Sequence, residues 1–357
     1  MSPLGERVRL GVIGFGKLGS IHAANVATTR GAELVAVCDP NPVALARAVD
    51  RHGVIAVPDL DDFLALPLDG VVIASNTPLH AEHIRAAALA GKAIFSEKPV
   101  GLSLPGTDDV LQQVVDAGVP FQIGFQRRWD ERYQQAKAVI DSGEIGDPVL
   151  FKCHGRDPDA SDPANWGLDR NGGLFLNCAI HDYDAARFLM GREVERLCAT
   201  GAALVHKGLG DLGDADTCAT SLFFGGDAMA LTEWSRYACY GYDIAMEVVG
   251  TRGIVQFGQQ RDWMVIIRRS ASDVGSVFDV FGDAYRRSME GFVDAIVTGL
   301  PTRPGVQDAR IALHLALTAR QSFELGGNTL DVAALAPLQA TAGSETNANR
   351  WTRQLLA

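Results

Sequence analysis

The first 126 residues alternate short apolar runs with segments of helical periodicity. The apolar runs lie at residues 9–13, 34–38, 71–74, 93–96 and 121–124. The helical segments lie at residues 22–29, 42–51, 79–90 and 107–117. Apolar runs that do not alternate with polar residues are typical of strands buried on both faces, and intervening helices favour a parallel sheet with right-handed crossovers. Residues 1–126 are therefore predicted to form a doubly wound parallel α/β domain.

A different pattern begins after residue 126. A charged helical segment at 129–142 and a strand at 148–154 come first. Strand-like runs with little helix between them follow at residues 196–205, 217–224, 228–237, 242–249, 253–257 and 263–268. Consecutive strands without helical crossovers favour antiparallel pairing. With closing helices at 283–298 and 307–324, we predict an α+β domain over residues 127–340 with an open, mainly antiparallel sheet, and a polar tail at 341–357.

Composition and charge narrow the class of protein. A length of 357 residues suits two domains, and the net charge of −11 argues against binding to nucleic acid or to an anionic membrane. No apolar run approaches the ~18 residues of a membrane span. The six cysteines have neither C-x-x-C nor metal-ligand spacing, so reduced thiols and no metal site are expected. These features predict a cytoplasmic protein, and the negative net charge does not exclude an anionic cofactor, which needs only a local pocket.

A glycine-rich turn follows the first apolar run. It fits the pattern G-x-G-x-x-G with the residues Gly14, Phe15, Gly16, Lys17, Leu18 and Gly19. In a dinucleotide-binding turn, the first glycine permits the bend, the second lets the backbone approach the pyrophosphate, and the third lets the helix pack against the strand. The N–H groups of the first helical turn then bind the phosphates. These six residues are predicted to bind a dinucleotide in a Rossmann domain.

Polar residues end the second and third apolar runs. Asp39 lies 20 residues after Gly19, and a carboxylate there accepts hydrogen bonds from the adenosine ribose and repels a 2′-phosphate. NAD is therefore predicted rather than NADP, with a helix cap as the alternative role for Asp39. Ser75 and Asn76 are predicted to face the nicotinamide half of the cofactor, with a capping turn as the alternative.

Candidate catalytic residues lie in two segments. Lys98 follows the fourth apolar run, where its charge would bind the substrate hydroxyl and stabilise a developing alkoxide. Asn177, His181 and Asp184 are spaced i, i+4 and i+7, so a helix would place them on one face. His181 is the predicted general base because histidine titrates near neutral pH. A buried histidine with a purely structural role is the alternative.

Four segments together resemble the Gfo/Idh/MocA oxidoreductases, and among these the inositol 2-dehydrogenases. They are Glu97-Lys98-Pro99, residues 124–130, residues 172–184 and residues 240–243. The resemblance implies a Rossmann domain followed by a domain with an open sheet, whose exposed face often builds a dimer or tetramer. It also implies contacts to the cofactor from Glu97, Lys98 and Arg127. The implied substrate-binding set is Lys98, Arg127, Arg156, Asn177, His181, Asp184 and Tyr242.

Three departures from the inositol enzymes fall where substrate would bind. Asn177 stands where they carry an aspartate, and an amide can hydrogen-bond but cannot hold a negative charge. His154 is displaced by one position, which on a strand moves a side chain to the opposite face. The loop at residues 157–170 is also longer.

The main functional prediction is NAD-dependent oxidation of a ring secondary alcohol of a cyclitol or sugar. In this reaction His181 and Lys98 handle the proton and the nicotinamide accepts the hydride. The alternative is a 3-dehydrogenase of a pyranose, glycoside or nucleotide-sugar. A non-catalytic, dinucleotide-gated regulator is less favoured because Lys98 and His181 are both present.

Overall fold

The computed structural model describes residues 7–158, 167–258 and 276–341, which divide into two compact units. The first unit comprises the described parts of Met1–Phe125, Tyr285–Arg310 and Ala336–Ala357. The second unit comprises the described parts of Gln126–Ala284 and Ile311–Leu335. The predicted strand at 263–268 and the tail beyond residue 341 lie outside the described residues.

A six-stranded parallel sheet forms the centre of the first unit. Its strands are β1 (Val8–Ile13), β2 (Ala32–Cys38), β3 (Ile55–Val57), β4 (Gly70–Ile73), β5 (Ala93–Ser96) and β6 (Phe121–Ile123). The order is β3-β2-β1-β4-β5-β6, and every pairing is parallel. All residues of β4 and β5 are buried, as expected for strands covered on both faces. The predicted doubly wound sheet is confirmed, with β3 as an additional edge strand.

Helices connect and cover the strands of this unit. They are α1 (Lys17–Thr28), α2 (Pro42–His52), α3 (Leu60–Leu64), α4 (His80–Leu89) and α5 (Leu104–Ala117). The start of α1 at Lys17 corrects the predicted start at residue 22, because the helix begins directly after the glycine turn. Asn41 caps α2 by accepting the Val43 N–H over 2.9 Å, and Gly53 ends α2 in the left-handed conformation.

The remaining helices lie later in the chain. They are α6 (Glu131–Asp141), α7 (Leu168–Asn171), α8 (Ile180–Met190), α9 (Gly208–Asp211), α10 (Val277–Thr298) and α11 (Val306–Glu324). Part of α10 belongs to the first unit, where Met289, Phe292, Val293 and Ile296 join the apolar cluster around β1. The rings of Phe292 and Phe95 meet edge to face, 5.8 Å apart.

A seven-stranded mixed sheet forms the centre of the second unit. Its strands are β7 (Pro148–Arg156), β8 (Val194–Ala202), β9 (Thr217–Phe224), β10 (Ala228–Ser235), β11 (Asp243–Gly250), β12 (Ile254–Phe257) and β13 (Leu330–Asp331). The order is β12-β11-β7-β10-β9-β8-β13. The pair of β7 with β10 is parallel and the other pairs are antiparallel. The predicted mainly antiparallel sheet is therefore confirmed.

The two faces of this sheet differ. Cys153 of β7 is buried, and its thiol donates to Asp182 of α8 over 3.3 Å. Thr220 of β9 is hydrogen-bonded to Tyr183 of α8 at 2.9 Å. The side chains of Cys153 and Thr220 therefore point to the face covered by α8. His154, the next residue along β7, points to the opposite face.

Candidate active site

The glycine turn has the geometry that a dinucleotide needs. Gly14 has a φ of +88°, and a Cβ there would lie 2.7 Å from the Ser75 backbone. A Cβ on Gly19 would lie 1.8 Å from the Gly14 carbonyl oxygen, so only glycine allows this close packing of α1. A Cβ on Gly16 would meet no atom within 4 Å, so the space beside its backbone is open. The turn fits a bound pyrophosphate at the N-terminus of α1.

Asp39 holds the turn from the end of β2. One carboxylate oxygen accepts the Phe15 N–H over 2.7 Å, and the other accepts the Asn41 N–H over 2.8 Å. The cap of α2 is Asn41, so the alternative role of Asp39 as a helix cap does not apply. Each carboxylate oxygen of Asp39 has a second lone pair, which fits the two ribose hydroxyls of NAD.

Ser75 follows β4 beside the glycine turn and is held by two histidines of α4. Its hydroxyl is hydrogen-bonded to His83 Nδ1 at 2.9 Å, and its carbonyl oxygen lies 2.9 Å from His80 Nε2. A short 3₁₀ turn follows at Thr77–Leu79, and its N-cap, Asn76, makes no side-chain cap. The side chains of Ser75 and Asn76 are therefore not engaged as helix caps.

The turn that carries Lys98 follows β5. Glu97 is buried, and its carboxylate accepts from His22 Nε2 of α1 over 2.8 Å. Any contact from Glu97 to a cofactor would therefore come from its backbone. Lys98 is partly exposed, and the Lys98–Pro99 peptide bond is cis. Because β1, β4 and β5 are neighbours in a parallel sheet, Gly14, Ser75 and Lys98 follow strand ends at one edge of the sheet.

The predicted catalytic segment of the second unit is not a continuous α-helix. A π-helical turn spans Phe175–Ala179, and α8 begins at Ile180. His181 and Asp184 share a face of α8, but the π turn changes the angle at which Asn177 projects, so the predicted i, i+4, i+7 stripe is corrected at Asn177. Single π turns in helices are frequent at functional sites.

Two buried ion pairs flank this helix. Arg127 is 2% exposed and pairs with the fully buried Asp182. Burial disfavours the charged guanidinium, but the carboxylate of Asp182 outweighs it and holds the pKa of Arg127 well above its ordinary value. Arg128 donates twice to Asp184, over 2.9 and 2.7 Å. Both arginines therefore position α8, and the carboxylate of Asp184 is engaged by a protein partner.

The remaining predicted substrate residues lie in different surroundings. Burial raises the pKa of Tyr242, so its hydroxyl stays protonated, and its ring packs edge to face on Phe281 at 6.2 Å. Arg156 forms an ion pair with Glu233 of β10. His154 lies 3.7 Å from Asp243. In the second sheet, Arg156 and His154 share the face opposite Cys153, and α8 covers the Cys153 face.

A cavity of about 550 Å³ lies on this opposite face of the second sheet. Side chains that line it include Lys152, His154, Cys198, Thr200, Leu231 and Glu233. Because α8 covers the other face, this cavity is separate from His181.

The comparisons with known proteins cover both units. Residues 8–125 match the oxidoreductase family with an NAD-binding Rossmann fold, and residues 133–256 match the GFO/IDH/MocA C-terminal domain. The chain belongs to the Gfo/Idh/MocA oxidoreductases. The predicted family, the assignment as an oxidoreductase and NAD as the cofactor are confirmed by these matches.

Individual relatives of this oxidoreductase are similar over most of its length. The scyllo-inositol 2-dehydrogenase (NAD(+)) of Bacillus subtilis is 37% identical over 332 residues, which cover 90% of this chain and 95% of the relative. The myo-inositol 2-dehydrogenase of Thermotoga maritima is 34% identical over 324 residues, with coverages of 89% and 96%. The structure of scyllo-inositol dehydrogenase from Lactobacillus casei with NAD(H) and scyllo-inositol matches with a TM-score of 0.84 at 30% identity, with coverages of 92% and 100%.

Several residues of this Gfo/Idh/MocA protein that shape the site were not predicted. His80 and His83 are spaced i, i+3 at the start of α4, a spacing that could have marked them as neighbours. Asp182 and Arg128 lie inside motifs that carried the resemblance, but only the fold shows that they pair with Arg127 and Asp184. Among the described residues, no helix has the length and hydropathy of a membrane span, and no cluster of acidic, histidine and cysteine side chains could hold a metal ion.

Proposed function

We propose that this oxidoreductase oxidises a ring secondary alcohol of a cyclitol or sugar with NAD, as an inositol dehydrogenase does. The observation that carries the proposal is the position of Lys98 at the same sheet edge as the glycine turn. A lysine at that edge stands beside the cofactor cleft of a parallel sheet. The similarity to inositol dehydrogenases of two bacterial species supports the substrate class.

The proposed chemistry assigns a separate role to each candidate catalytic residue. NAD supplies the acceptor for the hydride that leaves the ring carbon. Lys98 donates a hydrogen bond to the reacting hydroxyl and stabilises the negative charge that develops on its oxygen. His181 takes the hydroxyl proton, directly or through Lys98, so that the C–OH group becomes a carbonyl. Asn177 would orient the hydroxyl by hydrogen bonding, because an amide cannot take the proton itself.

The cofactor would be held by residues of the first unit. The turn from Gly14 to Gly19 would bind the pyrophosphate, and Asp39 would bind the ribose hydroxyls. Ser75, Asn76 and the backbone at Glu97 would lie along the nicotinamide half. Three of the predicted polyol ligands, namely Arg127, Arg156 and Asp184, are engaged in ion pairs. Lys98, Asn177, His181 and Tyr242 remain proposed contacts to the substrate ring.

Replacement of Lys98 tests this assignment. Lys98→Ala should lower kcat with the best alcohol substrate by at least 10²-fold, since a charge that stabilises the transition state is lost. Lys207→Ala is the matched control, because Lys207 is exposed and its ammonium donates to the Ala203 carbonyl oxygen over 3.1 Å. It should keep its full rate. Near-normal turnover of the Lys98→Ala variant would exclude the proposed role.

A panel of alcohols distinguishes the two candidate substrate classes. Initial rates with NAD and NADP would be measured for myo-inositol, scyllo-inositol, glucose and several glycosides. The placement of His154 on the face opposite Cys153 favours the pyranoside alternative, because the inositol enzymes are expected to use a histidine in this strand. Higher kcat/KM for glycosides than for both inositols would select that alternative.

We also propose that the enzyme is cytoplasmic and assembles as a homodimer or homotetramer through the face of the second sheet opposite α8. Support comes from the exposure of that face, where Leu231 is 39% exposed beside the cavity. We further retain the division into a cofactor domain and a substrate domain near residue 126. Light scattering on the purified protein tests the assembly, and a monomeric mass would exclude it.

A further inference from the structure

His80 lies between two backbone carbonyl groups that belong to different parts of the cofactor edge. Its Nδ1 is 2.7 Å from the Pro99 carbonyl oxygen, and its Nε2 is 2.9 Å from the Ser75 carbonyl oxygen. The residue is 2% exposed. Pro99 directly follows Lys98, and Ser75 follows β4 (Gly70–Ile73) beside the glycine turn. One buried ring therefore lies between the turn that carries Lys98 and Pro99 (the lysine turn) and the segment with Ser75 and Asn76 (the nicotinamide-side loop).

A neutral imidazole cannot donate a hydrogen bond to both carbonyl groups at the same time. The neutral ring has one N–H donor and one lone pair, and a lone pair facing a carbonyl oxygen is repelled by it. Burial lowers the pKa of His80, while the two carbonyls favour the protonated ring. The Nδ1–H tautomer holds the lysine turn, and the Nε2–H tautomer holds the Ser75 loop.

We propose that His80 is a positioning residue whose single N–H holds the Lys98 turn through Pro99 in one tautomer and the nicotinamide-side loop through Ser75 in the other. The proposal rests on the proposed function, in which Lys98 binds the reacting hydroxyl. The hydroxyl of Ser75 also forms a hydrogen bond with His83, so Ser75 has a second contact to α4. The contact to Pro99 is therefore the more consequential of the two for the reaction.

Two variants of His80 separate the two attachments. The amide nitrogen of asparagine stands at the same number of bonds from Cβ as Nδ1, and that of glutamine matches Nε2. His80→Asn can therefore keep the bond to Pro99, whereas His80→Gln can keep the bond to Ser75. We expect His80→Asn to keep kcat within about threefold and to raise the Kd for NADH by about fivefold to tenfold. His80→Gln should keep the Kd within threefold and lower kcat at least tenfold.

The Kd would be measured by NADH fluorescence titration, which needs no turnover. Equal losses in both variants, or no loss in either, would overturn the proposal, because a ring that merely fills space makes no such distinction. If either variant fails to fold, ¹⁵N NMR of the histidine rings in the unaltered protein replaces it. Both tautomers of His80 should then be detected, and a ring held in only one of them overturns the proposal. Absence of turnover by the unaltered protein would refute the proposed function while leaving the Kd and NMR results interpretable.

Discussion

Two glycines of the dinucleotide turn should respond in opposite ways to the same added methyl group. At Gly19 a Cβ would lie 1.8 Å from the Gly14 carbonyl oxygen, whereas an ordinary carbon–oxygen contact is about 3.3 Å. The helix α1 must therefore move by about 1.5 Å relative to the turn. Strain of this kind costs about 1–3 kcal/mol, which lowers the Tm of a domain of about 150–250 residues by roughly 2–12 °C.

At Gly16 the methyl group would meet no protein atom within 4 Å. Its backbone has a φ of −72°, which alanine adopts readily. Gly16→Ala should therefore melt within about 2 °C of the unaltered protein. The methyl would occupy the space through which the backbone approaches the pyrophosphate, so the Kd for NADH should rise about 10- to 100-fold, or about 1.4–2.7 kcal/mol.

Thermal melts and NADH fluorescence titrations of both variants check these expectations. Gly208→Ala is the control, because a Cβ there also meets nothing within 4 Å and the residue lies in the second unit. Both its Tm and its Kd should be unchanged. A Gly16→Ala variant that binds NADH with the original Kd would refute the assignment of this turn to the pyrophosphate. A Gly19→Ala variant that melts normally would refute the steric argument.

Three further predictions follow from charges in the structure. Asp39→Ala removes the carboxylate that repels a 2′-phosphate, so the ratio of kcat/KM with NADP to that with NAD should rise at least tenfold, and an unchanged ratio would contradict the NAD assignment. Arg128→Ala removes the bidentate partner of the 1% exposed Asp184 and should cost about 1–3 kcal/mol in urea unfolding, because Arg187 remains 4.0 Å from the same carboxylate, while Arg128→Lys recovers less than half of that. Burial of Asp216 would raise the pKa of its carboxyl group, but hydrogen bonds from the backbone N–H groups of residues 204–206 outweigh burial and lower the pKa below its ordinary value. The carboxylate therefore stabilises the fold fully at pH 7, and this stabilisation is lost as the pH falls through the folded-state pKa. The stability difference between the protein and its Asp216→Asn variant should therefore shrink at acidic pH, and a constant difference would refute the argument.

The parts of this structure that depend on local sequence pattern could be predicted from the sequence. The strands of the first sheet are buried on both faces, so their apolar runs were visible without any neighbour. The glycine turn could be predicted because its glycines recur at fixed spacing within one short segment, where close contacts require them at Gly14 and Gly19. By contrast, β3 has three residues, one of them exposed, and carries too short a pattern to predict a strand.

The parts of the site that sequence could not provide arise from contacts between distant segments. Arg128 and Asp184 are 56 residues apart in the sequence, and no rule of residue spacing predicts that they form an ion pair. His80 acts through backbone carbonyls, which every residue possesses, so its partners have no signature in side-chain chemistry. The π turn that contains Asn177 departs from regular α-helical spacing, which is the only helical spacing that the sequence pattern indicates.

The contribution of α10 to the first unit has a consequence for how the chain is made. Phe292 and Met289 complete the same apolar cluster as Val8 and Phe95, although nearly two hundred residues separate Phe95 from them. During synthesis, the strands of the nucleotide-binding sheet would emerge from the ribosome long before Met289 and Phe292. Until α10 is made, the part of the core that it covers would stay exposed to solvent. The dinucleotide domain should therefore reach full stability only after the second unit's sheet has been synthesised. A gene fragment that stops at residue 126 would encode the cofactor-binding turn but not the α10 side chains that complete its core.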